Sequence, residues 1–235
     1  MKSPTVPFST LLTDLSDPSS QVRKLAITRL MRRKERGQAL ASLVSLLTDP
    51  EDLIRQAAIS ALGKLGGSGL RGANLTRANL SFLNLTKVDL RGANLTGANL
   101  SHANLSHADL TEATLVGSDL TEARLSHTYL NEADMCSATL TKADLKKANL
   151  RNANLTKADL RKANLCDVCL RGANLEGANL VGATLDHIDL RDIPWLIIME
   201  LTLQPDITWK DVLYTRASDD DLARSNGSLD DGRDG

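Results

Sequence analysis

Residues 91–110 read RGANLTGANLSHANLSHADL. Leucine falls at every fifth place in this stretch, and the recurrence runs outward in both directions. From position 70 to position 190, 24 of the 25 residues at five-residue intervals are Leu, with Met135 the exception. Two places before each, from 73 to 188, Ala fills 18 of 24 positions. The others are Leu83, Val88, Ser118, Thr128, Val168 and Ile188. The unit is A-(N/D)-L-x-x, as in Ala93-Asn94-Leu95-Thr96-Gly97. A helix repeats its face about every 3.6 residues and a strand every second residue, so neither keeps these leucines on one side. Self-similarity at a fixed period is the signature of a repeat architecture.

The run resembles the pentapeptide-repeat family. The resemblance implies a mainly β solenoid: a right-handed quadrilateral β-helix, four pentapeptides to a coil, about six coils over residues 70–191, with Leu and Ala inward. The physics agrees. One large and one small apolar side chain per unit fill a narrow tube without voids. The remaining residues are mostly Asn, Asp, Ser, Thr, Arg, Lys and Gly, which suit turns and water. Coils stacked at the ~4.8 Å strand spacing make a rod on the order of 30 Å long.

Composition sets bounds on the rest. Aromatics are 3% of the 235 residues, too few for an ordinary mixed core. The net charge of −1 is unevenly placed. Residues 1–69 carry ten Lys/Arg against six Asp/Glu, residues 70–191 carry 14 against 13, and residues 192–235 carry four against ten. Lys2 is followed by no apolar run of the signal-peptide kind, and Trp195 to Met199 is far too short to span a bilayer. Three cysteines without framework spacing suit a reducing compartment, so a cytoplasmic protein without a membrane partner is expected.

Residues 1–69 hold two similar blocks. Asp17-Pro18 and Asp49-Pro50 lie 32 residues apart, as do Val22 and Ile54. Each block reads as helix, Asp-Pro turn, helix, with Gly37 and Gly66-Gly67 as stops. The pattern resembles HEAT-type helical repeats, most clearly in DPEDLIRQAAISALGKLG, and this α-helical unit is expected to cap the first coil. Arg29, Arg32, Arg33 and Arg36 have the spacing of one helix face. Two readings stay open there, a site for an acidic or phosphate-rich partner and a solvated face. Gly66 to Gly69 is the joint to the rod. Phe82, outward where a small polar residue is usual, is expected to touch the helical cap.

Within the rod, residues 20 apart should stack. Four of the six inward exceptions, Val88, Thr128, Val168 and Ile188, then share one column. Lys142, Lys146, Lys147, Arg151, Lys157, Arg161 and Lys162 form a basic belt about one coil wide, either a binding surface or a solvated face. Tyr129 projects where Asn or Asp is usual and is a candidate anchor. Cys166 and Cys169 have C-x-x-C spacing, with His187 and Asp189 expected one coil on. These four are the weak metal candidate, and Cys136 lies on another face. No metal or cofactor is expected.

After Arg191 the repeat stops. Residues 192–215 read as a capping segment, with a helix starting near Pro194. Trp195, Leu196, Ile197, Ile198, Met199 and Leu201 are too apolar for water. A face including Trp195, Ile198 and Met199 is expected on the last coil, leaving a surface for a homodimer. Some family members dimerise through this end, by the same resemblance. A second short element, DITWKDVLY, follows. Residues 216–235, rich in Asp, Gly and Ser, are expected to be a disordered acidic tail.

No nucleophile motif or phosphate loop is present, and the four histidines lie on a convex surface, so no catalytic residue and no enzyme activity are expected. The reading is a protein-interaction scaffold or adaptor with an unidentified protein partner. Some relatives mimic DNA and bind DNA topoisomerase, but such mimics are strongly acidic and this rod is neutral. Direct nucleic-acid binding through the belt is disfavoured. The resemblance points to a bacterial, cyanobacterial-type source.

Overall fold

The computed structural model of the chain describes residues 6–64, 70–188, 190 and 193–208. The joint at 65–69, the lead-in at 1–5 and the tail from 209 onward, including most of the second C-terminal element, lie outside the described residues.

The chain opens with α-helices α1 (Phe8–Asp14) and α2 (Ser20–Leu30). A 3-10 helix (Lys34–Ala39), α3 (Leu40–Ser45), a 3-10 turn (Leu46–Thr48) and α4 (Asp52–Lys64) follow. The two Asp-Pro turns are built alike. Asp17 Oδ1 accepts from the Ser19 N–H at 2.8 Å, and Asp49 Oδ1 from the Glu51 N–H at 2.9 Å. Six residues after each Asp, an arginine clamps the turn. Arg23 Nη1 donates to the Asp17 and Pro18 carbonyls, and Arg55 Nη1 to those of Asp49 and Pro50. Arg23 also reaches across to Asp49 at 2.8 Å, tying one block to the next. Both arginines are buried. Each proline thus lies in a turn ahead of its helix rather than in the helix's first turn.

The expected long arginine helix is interrupted. Tight bonds from Arg32 N to Arg29 O and from Arg33 N to Leu30 O end α2, and Arg33 turns extended. Its guanidinium there donates to the Val6 carbonyl. Gly37 is inside the 3-10 helix and stops nothing.

From Leu70 the chain is a β-helix solenoid. Isolated parallel bridges join residue i to residue i+20, from Asn74–Asn94 through Asn164–Thr184. Every fifth residue from 72 to 187 has φ in the left-handed region, so four turns occur in each 20 residues. The leucines and Met135 are at most 2% exposed, and Ser118 and Thr128 are buried with them. The Ser118 hydroxyl donates to the Leu115 carbonyl, and that of Thr128 to the Leu105 carbonyl. Ala73 and Val88, in the first coil, are only partly buried.

One pentapeptide accounts for all five of its N–H groups, as buried backbone requires. Asn94 N donates to Ala73 O one coil back, and Leu95 N to Thr114 O one coil on. Gly97 N donates to Val116 O, also one coil on, and Ala98 N closes the turn onto Leu95 O. The fifth, Thr96 N, has no backbone acceptor and bonds the Asn94 side chain at 3.0 Å. This last bond explains the Asn/Asp position. All 17 Asn or Asp residues described there accept the N–H two residues on.

At the end coils, side-chain amides stand where a neighbouring coil's peptide would be. Gln56 of α4 accepts the Asn84 N–H at 3.2 Å. After Leu190 the chain leaves as α5 (Trp195–Thr202) and returns, so that Thr208 pairs with Thr184. Between these, Gln204 Oε1 accepts the Leu180 N–H at 2.6 Å, while its Nε2 donates to the Ala178 carbonyl at 2.9 Å. One coil earlier the peptide of Asn179 makes both bonds, to Leu160 and Ala158. The Gln204 carboxamide substitutes for a backbone peptide. Gln204→Ala strips two buried groups of their partners. It is expected to cost about 1–3 kcal/mol, read by chemical denaturation. Unchanged stability would contradict this role.

Candidate interaction surface

The rod's interior is filled, so its chemistry lies on the outside, and the 20-residue stacking decides which side chains meet there. The basic belt separates onto different corners. Arg151 sits on the corner of Arg71 and Arg91, and Lys157 on that of Arg77. Lys142, Arg161 and Lys162 share a third corner, and Lys146 and Lys147 occupy a fourth. Two of the seven are already engaged. Lys142 Nζ pairs with Glu122 Oε1 at 2.9 Å, and Arg161 grips Asp159 with two nitrogens. Lys146, Lys147, Arg151, Lys157 and Lys162 are exposed, and no ion pair engages them among the described residues.

The left-handed corner residues form vertical ladders. Phe82 stacks on His102 with centroids 4.7 Å apart, and His102 Nδ1 lies 3.4 Å from Glu122 Oε2. Phe82 is 69% exposed, and its left-handed corner position aligns it with the ladder. On the next corner His107 stacks on His127 at 4.8 Å.

Of the four arginines first grouped on one helix face, Arg29 lies in the last turn of α2, and Arg33 is committed to Val6. Arg32 and Arg36 border a groove of about 440 Å³ floored by Ile27, Met31, Ala57 and Ala61. The buried Arg23 and Arg55 were missed by pattern reading, although their 32-residue spacing matches that of the Asp-Pro pairs.

Cys166 is half-buried and Cys169 exposed, both as free thiols. His187 Nδ1 is 3.8 Å from Asp167 Oδ1. Among the described residues no three His, Cys, Asp or Glu side chains converge as a metal site, and Asp189 lies outside them. In α5, Ile198 and Leu201 are buried and Ile197 is partly buried. Of the expected face, Ile198 is buried as expected but Met199 is 47% exposed. Residues 198 and 201 share a face at i, i+3 spacing, and 199 is rotated away from it. The side chains of Trp195 and Leu196 lie outside the described residues. No helix among the described residues is long and apolar enough to cross a membrane.

Comparison with family models matches pentapeptide repeats, in eight copies, to residues 64–92, 89–126, 118–156 and 158–193. The chain belongs to the pentapeptide-repeat family. Residues 8–73 match HEAT repeats. Among solved pentapeptide-repeat structures, a protein of the cyanobacterium Cyanothece 51142 is 27% identical. That match covers 61% of this chain and 89% of the other, with a TM-score of 0.39. A thylakoid-lumen protein of Arabidopsis thaliana is 29% identical over 54% of this chain and 74% of its own, with a TM-score of 0.34. HetL of Nostoc, involved in heterocyst differentiation regulation, is 27% identical over 60% and 81%, with a TM-score of 0.21. No curated protein matches.

Ion pairs tune the acids of this pentapeptide rod. Hydrogen bonds from Arg91 hold the Asp89 carboxyl below its ordinary value, those from Arg161 do the same for Asp159, and Lys142 does so for Glu122. A carboxyl depressed on folding adds stability above its unfolded pKa, near 4, and loses it as pH falls through the folded value. Melting temperature is therefore expected to fall on acidification below about pH 4. Asp89→Asn with Asp159→Asn should lower the neutral value and flatten the acid limb. Thermal melts across pH check this, and an unchanged slope would contradict it.

Proposed function

We propose that the protein is a non-catalytic interaction scaffold. In this reading the solenoid is a right-handed, four-sided β-helix of about six coils, closed at one end by the helical unit and at the other by the segment around α5. The observation that supports it most is the filled interior. The leucines of the five-residue period, at most 2% exposed, leave no internal cleft among the described residues to enclose a substrate and exclude water. What the rod offers is a rigid outer surface on which side chains are held at fixed vertical spacing. The balance of 14 cations and 13 anions in residues 70–191 fits a mixed protein-binding surface better than a DNA mimic.

The test has two arms. The immobilised full chain is used to capture proteins from extracts of its source, and each captured protein is purified and titrated against it by calorimetry. A saturable complex is expected, with DNA supercoiling by a topoisomerase unchanged in a parallel assay. Absence of any saturable protein complex would overturn the scaffold reading. Altered supercoiling without such a complex would favour the topoisomerase modulator.

A further inference from the structure

Six described positions of the rod break the rule that Asn or Asp precedes the inward leucine: Thr114, Arg124, Tyr129, Thr139, Cys169 and Thr184. Each forgoes the carboxamide or carboxylate that accepts the next turn's N–H. Two of the six are large and exposed, and they are consecutive. Arg124 lies on one face and Tyr129, 54% exposed, on the next, with the corner Ser126-His127 between them. Departures from a local folding rule concentrate at functional sites.

Stacking adds the next coil to this corner. The His127 N–H bonds the Lys146 carbonyl at 3.0 Å, placing Lys146 and Lys147 directly beneath. Arg124 bridges to Asp144, and Tyr129 to Asn149. Arg124, Lys146 and Lys147 are exposed cations with no ion pair among the described residues. Two nearby acids are engaged. Asp144 accepts from the Ser126 hydroxyl at 2.6 Å and from Asn164 Nδ2 at 3.0 Å, and Asp109 lies 3.5 Å from Arg91 Nε. Three unpaired positive charges thus surround a corner flanked by an exposed phenol ring.

We propose that this corner is the docking site for a carboxylate-rich segment of a protein partner. Arg124 offers a planar fork to a carboxylate, the two lysines add point charges, and Tyr129 supplies the apolar contact that fixes register. The positive patch spans two adjacent coils, one coil spacing of roughly 5 Å, and Glu122 and Glu132 on the flanking corners bound it around the rod. That length fits a short acidic segment, whereas a continuous phosphate backbone would run onto those carboxylates. The inference rests on the scaffold reading and narrows it to one surface.

The test uses the full chain and a short fluorescein-labelled poly-L-glutamate, read by fluorescence anisotropy at about 0.1 M salt. Arg124→Glu with Lys146→Glu and Lys147→Glu is expected to weaken binding by about tenfold or more, and Tyr129→Ala by a smaller factor. The control, Arg77→Glu with Arg151→Glu and Lys157→Glu, makes the same charge change on other corners and should change it less than about twofold. Lys146→Gln with Lys147→Gln serves if the triple reversal fails to fold. Equal loss in corner and control variants, or no binding by the unaltered chain, overturns the proposal. Preference for a single-stranded oligonucleotide of equal charge overturns the partner class. A captured protein that binds the corner variant as tightly as the unaltered chain sinks this site alone and leaves the scaffold standing.

Discussion

The structure depends on finding an acceptor for one backbone N–H in every five. In each pentapeptide between the end coils four N–H groups are satisfied by the turn and by the coils on either side. The fifth, just after the leucine, has no backbone acceptor, and at 17 described positions the Asn or Asp two residues earlier receives it. Without that local bond each corner would carry an unpaired donor, at a cost of about 1–3 kcal/mol wherever water cannot reach it. The residue after that N–H lies in the left-handed region both where the bond is made and where it is not, as at His127 and Glu132. There 17 non-glycine side chains of the rod sit with φ between 56° and 61°. Each costs roughly 1–2 kcal/mol in isolation. Up to Asp167, each such residue's N–H is bonded to the next coil, which offsets that cost.

Because stability lies in the leucine column and the backbone ladder, the outward side chains are released from structural duty. They form ladders of their own, such as Phe82 on His102, His102 beside Glu122, and Glu122 on Lys142. The surface can therefore vary in charge and shape while the interior stays constant, which suits an interaction scaffold. The ends follow the same logic. Gln56 and Gln204 carry amide groups to the places where a further coil would supply peptides.

Much of this was legible in the sequence. The five-residue leucine period, the Ala column and the paired Asp-Pro turns were read directly, because each is a local pattern repeated many times. What escaped reading acts once or across long separations. Gln204 meets Leu180 from 24 residues away, and nothing in its neighbours announces it. Arg124 belongs to the same surface as Lys146 and Lys147, yet it falls outside a belt drawn along the sequence. Column counting in twenties would have found it. The end of α2 at Leu30 depends on Arg33 turning toward Val6, a tertiary contact that outweighs helical spacing. Arg23 and Arg55 were not singled out, because burial of a guanidinium needs the carbonyls of a folded turn, which composition does not display.

Amide hydrogen exchange resolved to single residues tests the central claim most directly. The N–H groups of Thr96, Ser101 and Thr111, each held by an Asn or Asp side chain, should exchange slowly. Those of Val116, Ser126 and Asn131, which follow Thr114, Arg124 and Tyr129, should exchange markedly faster while their leucine neighbours stay protected. Equal protection in both sets would contradict the account.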